Sequence, residues 1–157
     1  MRYSVKTSSA NETTTLGQKV GAVLRGTEVF KLKSDLGGGK TTFVKGLANG
    51  LGADETVQSP TFIISAQYHC ERNLELHHYD FYRLQDLGIM QEQLDESLLS
   101  PSVVTVMEWG DSADTTGAKD LIEVTIAKDP VDENARQVTF EVPDVYEYIA
   151  TTLEGKS

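Results

Sequence analysis

The chain reads as a three-layer α/β domain with a mixed central sheet, and three observations carry that expectation. Helical and extended segments alternate along it, one extended segment is apolar almost throughout, and two pairs of extended segments are joined by short turns. At 157 residues the chain suits one domain, and a domain of this size buries roughly 68–70% of the surface its unfolded form exposes. No repeat, low-complexity tract or Pro/Ser-rich linker divides it, so a single domain over residues 1–157 is expected.

Each element has its own signal. Ser9-Ala10-Asn11-Glu12 has capping-box spacing. After it, Leu16, Val20, Val23 and Leu24 form one helical stripe, with Gly26 as the stop. Residues 28–33 (EVFKLK) suit a short strand. Residues 41–51 place Val44, Leu47, Ala48 and Leu51 on one helical face, ended by Gly52. Residues 61–70 are β-branched and aromatic, 71–73 form a turn, and 74–82 are extended again, which predicts a hairpin. Residues 86–99 suit a helix. Residues 103–108 (VVTVME) read as a strand buried on both faces. Residues 121–128 and 136–142 make a second hairpin, and a short helix from Pro143 closes the chain.

Composition excludes several classes. The first residues, MRYSVK, lack the apolar run of a secretory signal, and no stretch is apolar enough to span a bilayer. Cys70 is the only cysteine, which rules out an internal disulfide framework and an all-cysteine metal site. A soluble, cytoplasmic protein is expected. His77 and His78 are adjacent, so on a strand they face opposite ways and cannot chelate one metal together. The net charge is −10 and unevenly placed. Residues 1–85 carry 10 basic and 8 acidic side chains, while residues 86–157 carry 4 basic and 16 acidic ones. Such an acidic surface repels phosphate backbones, so direct binding of DNA or RNA is not expected. It suits either solubility or docking on a basic partner.

The informative segment is Leu32-Lys33-Ser34-Asp35-Leu36-Gly37-Gly38-Gly39-Lys40-Thr41-Thr42-Phe43. A strand enters a glycine-rich loop, then Gly-Lys-Thr, then an amphipathic helix. Gly37, Gly38 and Gly39 let backbone N–H groups turn toward phosphate oxygens, and the helix N-terminus adds partial positive charge. Lys40 reaches the β and γ phosphates in such a loop, and the Thr41 hydroxyl ligates Mg²⁺. Lys40 is expected to be exposed without nucleotide, so its truncation should change stability by no more than about 0.5 kcal/mol. Ser34 stands where the pattern has glycine; a positive φ there would cost on the order of 1 kcal/mol. A Mg²⁺-nucleotide site also needs an acidic residue at the end of a neighbouring strand. Glu108 and Asp80 both answer that description.

The ordered motifs SDLGGGKTTFVKGL, QSPTF, HHYDFYRL and VMEW, within residues 9–140, resemble the bacterial TsaE (YjeE) family. These are small P-loop ATPases of tRNA threonylcarbamoyladenosine (t6A) biosynthesis. Ser34 and Gly38 depart from the family's usual G-D-L-G-A-G-K-T, and Met107 stands where an aliphatic residue is usual. The resemblance implies a P-loop NTPase-like fold. It also implies that residues 37–42, including Thr42, hold the ATP phosphates, and that Thr41 and Glu108 ligate Mg²⁺. Ser59, Pro60 and Thr61 would form one switch-like loop. His78 to Arg83 would form a second, with Asp80 central to hydrolysis. Trp109 would be a nucleotide-sensitive residue near the metal, with Thr13 and Arg136 beside the nucleotide. The implied partner is the TsaD–TsaB complex.

Other readings compete. A small-molecule kinase needs a lid, usually rich in arginine, over the transferred phosphoryl group. Residues 86–157 hold one arginine, Arg136. A GTP switch needs a guanine-reading Asn-Lys-x-Asp, and the nearest segment is Ala118-Lys119-Asp120. A scaffold with a decayed loop is the non-enzymatic alternative, separated from the others by measuring ATP binding with and without Mg²⁺.

Overall fold

The computed structural model describes residues 1–35, 37–58, 65–82, 87–109, 115, 117–118 and 120–155. Among the described residues seven strands form one sheet in the order β1-β7-β6-β2-β5-β4-β3. They are β1 (Arg2–Thr7), β2 (Val29–Ser34), β3 (Ser65–His69), β4 (Glu75–Asp80), β5 (Val103–Glu108), β6 (Ile122–Lys128) and β7 (Arg136–Glu141). The helices are α1 (Ala10–Val23), α2 (Lys40–Leu51), α3 (Ile89–Leu99) and α4 (Glu147–Glu154). The strands β6, β2, β5 and β4 run parallel, and β3, β7 and β1 pair antiparallel at the two sides. The sheet is therefore mixed, as the alternation of hairpins and helical crossovers requires.

Helices cover both faces. Leu16 and Val20 of α1, Phe43 and Leu47 of α2, and Ile149 and Leu153 of α4 pack on Phe30, Leu32, Val106 and Val124. Leu94 and Leu98 of α3 pack on Val29, Tyr79 and Met107 from the other side. All six residues of β5 are buried, which explains a run that is apolar except for Thr105 and the terminal Glu108. Among the described residues no helix is long and apolar enough to cross a membrane.

The sequence reading misplaces some boundaries and misses one strand. Nothing in it anticipates β1, whose residues alternate toward and away from the core and pair with β7 from Arg2↔Glu141 to Thr7↔Arg136. Ser9 caps α1 by accepting the Glu12 N–H at 3.1 Å, while the Glu12 carboxylate turns back to the Ser8 N–H at 2.6 Å. α1 stops at Val23, because Leu24 is already extended; Gly26, with φ of 114°, shapes the turn that follows. Of the strand expected over 61–70, β3 covers Ser65–His69, and residues 59–64 lie outside the described residues.

Two features hold α1 and the following turn in place. A Cβ on Gly17, Gly21, Gly46 or Gly50 would fall 2.2 to 2.5 Å from a carbonyl oxygen of the opposite helix, so α1 and α2 cross backbone to backbone. Glu28, fully buried, accepts the N–H groups of Arg25, Gly26 and Thr27 at 2.6, 2.8 and 3.0 Å. Its carboxylate also accepts the Tyr148 hydroxyl of α4 at 2.5 Å. The turn into β2 is thereby tied to α4, which leaves β2 fixed where it delivers the glycine loop.

Candidate functional site

β2 ends at Ser34 and the chain turns through the glycines into α2 at Lys40. Gly37 and Gly39 have φ of 74° and 108°, a region costly for residues with a Cβ. Ser34 has no positive φ, so the strain considered for it from sequence does not arise. Its hydroxyl donates to the Asp35 carbonyl at 3.0 Å. Among the described residues no side chain caps α2, which leaves the first N–H groups of the helix available to an anion.

Lys40 is buried, 8% exposed, contrary to the exposure expected from sequence. Its ammonium folds back on the loop, donating to the carbonyls of Ser34 at 3.3 Å and Asp35 at 3.5 Å. The ammonium also lies 4.7 Å from the centre of the Trp109 ring. Trp109 has φ of 57°, a conformation that costs a non-glycine residue about 1 kcal/mol or more. That turn follows directly after β5, and the indole also packs on the Tyr82 ring at 4.9 Å. The ends of β4 and β5 thus meet over the loop.

Glu108 lies beside Leu32 of β2 on one side and Asp80 of β4 on the other. Both acids are buried, at 2% and 7% exposure. His78 Nε2 is 3.0 Å from Glu108 Oε2. Asp80 accepts the Tyr82 N–H at 3.0 Å. His78 and Asp80 both belong to β4, as the extended segment read over 74–82 expects, and β5 pairs with that strand through Asp80↔Glu108; the switch-like loop that the resemblance implied from His78 onward therefore begins no earlier than Phe81. His77 points to the opposite face, where its Nδ1 meets the Ser97 hydroxyl at 2.6 Å, so the two histidines do not converge.

Arg136 of β7 reaches across and donates from Nε to the Gly38 carbonyl at 2.9 Å. Its Nη1 donates to the carbonyls of Glu133 and Ala135. Thr13, Thr42, Gly39 and Arg136 line one small cleft of about 90 Å³, together with Ala10 and Asn134. The Thr13 hydroxyl is engaged with that of Thr7 at 2.7 Å. Sequence reasoning missed Lys128, whose ammonium lies 3.9 Å from where a Cβ on Gly37 would sit. Lys128 and Arg136 are cross-strand partners at the end of β6 and β7, and only that pairing brings both cations to the loop. Ser59, Pro60, Thr61 and Arg83 lie outside the described residues.

The residues present suit a nucleotide with a divalent cation. An uncapped helix N-terminus with Lys40, Arg136 and Lys128 around it favours phosphate. Two adjacent buried carboxylates and the Thr41 hydroxyl are hard oxygen donors of the kind Mg²⁺ takes alongside phosphates and water.

A family profile described as "Threonylcarbamoyl adenosine biosynthesis protein TsaE" matches residues 7–138. The tRNA threonylcarbamoyladenosine biosynthesis protein TsaE of Bacillus subtilis (strain 168) is 35% identical over 153 residues, spanning 94% of this chain and 91% of its own. The protein of the same name from Treponema pallidum (strain Nichols) is 40% identical over 118 residues, or 75% of this chain and 83% of its own. A crystal structure of Bacillus subtilis YdiB superposes with a TM-score of 0.73 at 28% identity, covering 98% of this chain and 95% of that one.

Proposed function

The chain belongs to the TsaE family, and we propose that it is the Mg²⁺-dependent ATPase of tRNA t6A modification, acting with a TsaD–TsaB complex. One observation supports this most: the uncapped N-terminus of α2 carries Lys40 beside the strand end that presents Glu108. In this reading the N–H groups of residues 37–42 bind the phosphates. Lys40 leaves the Ser34 and Asp35 carbonyls for the β and γ phosphates, and Arg136 holds the Gly38 carbonyl so that the loop keeps its shape. Thr41 and Glu108 would hold Mg²⁺, which would supply neutralisation of the charge that develops in phosphoryl transfer. Asp80 orients the attacking water. Hydrolysis serves turnover of the partner complex rather than making the modification itself.

Some acids of residues 86–157 pair within the chain and count less toward a partner-facing charge. Lys33 pairs with Glu123 at 3.0 Å, Lys6 with Asp129 at 3.5 Å and Arg2 with Glu141 at 4.0 Å. Glu123 and Glu141 answer basic residues of the neighbouring strand, and Asp129, just past β6, answers Lys6 of β1.

The test is ATP hydrolysis by the purified chain, alone and with the TsaD–TsaB complex, across a Mg²⁺ series. Glu108→Gln should lose both hydrolysis and its Mg²⁺ dependence while ATP binding is less affected. An unchanged Mg²⁺ dependence removes Glu108 from the site. Tight binding of bare tRNA by the chain in a gel shift would contradict access through a partner.

A further inference from the structure

His78 lies in the middle of the site face and neither the glycine loop nor the phosphates need it. It is fully buried between Ala66 of β3 and Val106 of β5, its register partners on either side. Its Nε2 meets Glu108 Oε2 at 3.0 Å, and its Nδ1 has no hydrogen-bond partner among the described residues. A carboxylate only accepts, so Nε2 carries the hydrogen. The imidazole is thus a rigid donor with one task. Glu108 is the opposite, a side chain with three rotatable bonds at the last position of β5, and among the described residues His78 alone is found bonding its carboxylate.

We infer that His78 is a positioning residue: its Nε2–H fixes Glu108 Oε2 so that Oε1 is the oxygen presented to the divalent cation. The inference rests on the reading above in which Glu108 ligates that cation. Groups that orient a metal's ligands typically change affinity 10- to 100-fold when removed. A purely structural histidine would affect folding without affecting the ion.

The experiment follows Mn²⁺ binding to the ADP-loaded chain by electron paramagnetic resonance, which reads the free ion and needs no turnover. His78→Leu removes the donor at similar bulk and should weaken Mn²⁺ by about tenfold or more. His78→Gln can offer an amide N–H where Nε2 stood and should stay within about threefold of the parent. Binding by His78→Leu equal to the parent overturns the inference, and so does a Gln variant as weak as the Leu variant. Because a buried leucine there could prevent folding, a second measurement uses the unmutated chain. Long-range nitrogen–proton correlations should show the His78 hydrogen on Nε2; a bare Nε2 overturns the inference. Glu108→Gln separates the two levels. If it binds Mn²⁺ as tightly as the parent, the cation reading fails and the inference with it. If it loses the ion while His78→Leu keeps it, the inference fails alone.

Discussion

The Ser34 hydroxyl occupies the space that a side chain on Gly38 would need. A Cβ on Gly38 would fall 1.6 Å from Ser34 Oγ and 3.0 Å from Ser34 Cβ, with the Asp35 carbonyl at 2.9 Å. The TsaE pattern has glycine at the first of these positions and alanine at the second. Both departures therefore concern one volume of the loop, which the Ser34 side chain fills here.

Gly38→Ala alone should distort the loop, with a cost of about 1–3 kcal/mol typical of overpacking. Nucleotide affinity should fall at least tenfold. Adding Ser34→Gly removes two of the three close contacts and should recover most of the loss. Calorimetric titration of ADP into the four proteins of the double-mutant cycle measures the coupling. Additive effects would show that the two sites do not share this space.

Lys40→Ala should abolish the nucleotide response and also destabilise the chain by about 1 kcal/mol. Two carbonyl contacts and the Trp109 ring are lost together, and a partly buried cation over an indole contributes on this scale. Urea unfolding without nucleotide measures the stability change. Trp109, the only tryptophan, reports through its fluorescence whether ADP still reaches the loop. An ADP-dependent signal equal to the parent's would mean that the glycine loop is not the nucleotide site.

How far the sequence carried this result depends on the range of each interaction. The loop, α2 and β5 were legible because their signals are local: glycine spacing, a helical stripe, an apolar run. The place of Glu108 was legible because the apolar run of β5 ends on it, beside the strand that feeds the loop. β1 was missed because six alternating residues at a chain start carry little signal until β7 is beside them. Lys128 was missed because only the β6–β7 register brings it to Gly37. The exposure of Lys40 was misjudged for a similar reason. The side chain folds back onto the Ser34 and Asp35 carbonyls and lies beside Trp109, which follows β5 with a positive φ.

The helix crossing shows the same limit and gives a further test. Gly17 and Gly21 in α1, and Gly46 and Gly50 in α2, are each spaced by four, yet nothing local says they face each other. A Cβ on Gly21 would lie 2.3 Å from the Leu47 carbonyl oxygen, a rigid backbone atom. Gly21→Ala should therefore destabilise the fold by several kcal/mol despite alanine's better helix propensity of about 1 kcal/mol. Unfolding midpoints in urea decide it. A stabilised variant would mean that the helices are further apart than described.

Glu28→Ala should be among the most damaging polar substitutions. It leaves the N–H groups of Arg25, Gly26 and Thr27, and the Tyr148 hydroxyl, without their acceptor. Hydrogen bonds to a charged group contribute about 1.5–3 kcal/mol each, so a loss above about 3 kcal/mol is expected. Tyr148→Phe removes one donor and should cost roughly half as much or less. A Glu28→Ala chain as stable as the parent would remove the carboxylate from any structural role.

His77 supplies an acid limb to the stability of the fold. Burial lowers its pKa from 6.5, and the nearby Glu75 carboxylate, 3.8 Å from Nε2, opposes that only in part. The native state therefore resists a proton that the unfolded chain accepts. Its contribution is complete above about pH 6.5, and it drains as the pH falls toward and through the native value. One such group changes stability by at most about 1.4 kcal/mol per pH unit. His77→Gln keeps a polar group for the Ser97 hydroxyl, now 2.6 Å from Nδ1, and has nothing to titrate. The variant starts out less stable at pH 7, but its deficit should shrink as the pH is lowered to 5, because only the parent pays the histidine term. Urea unfolding of both proteins at half-unit intervals measures the difference, and a gap that stays constant across that range would mean His77 is protonated alike in the folded and unfolded chain.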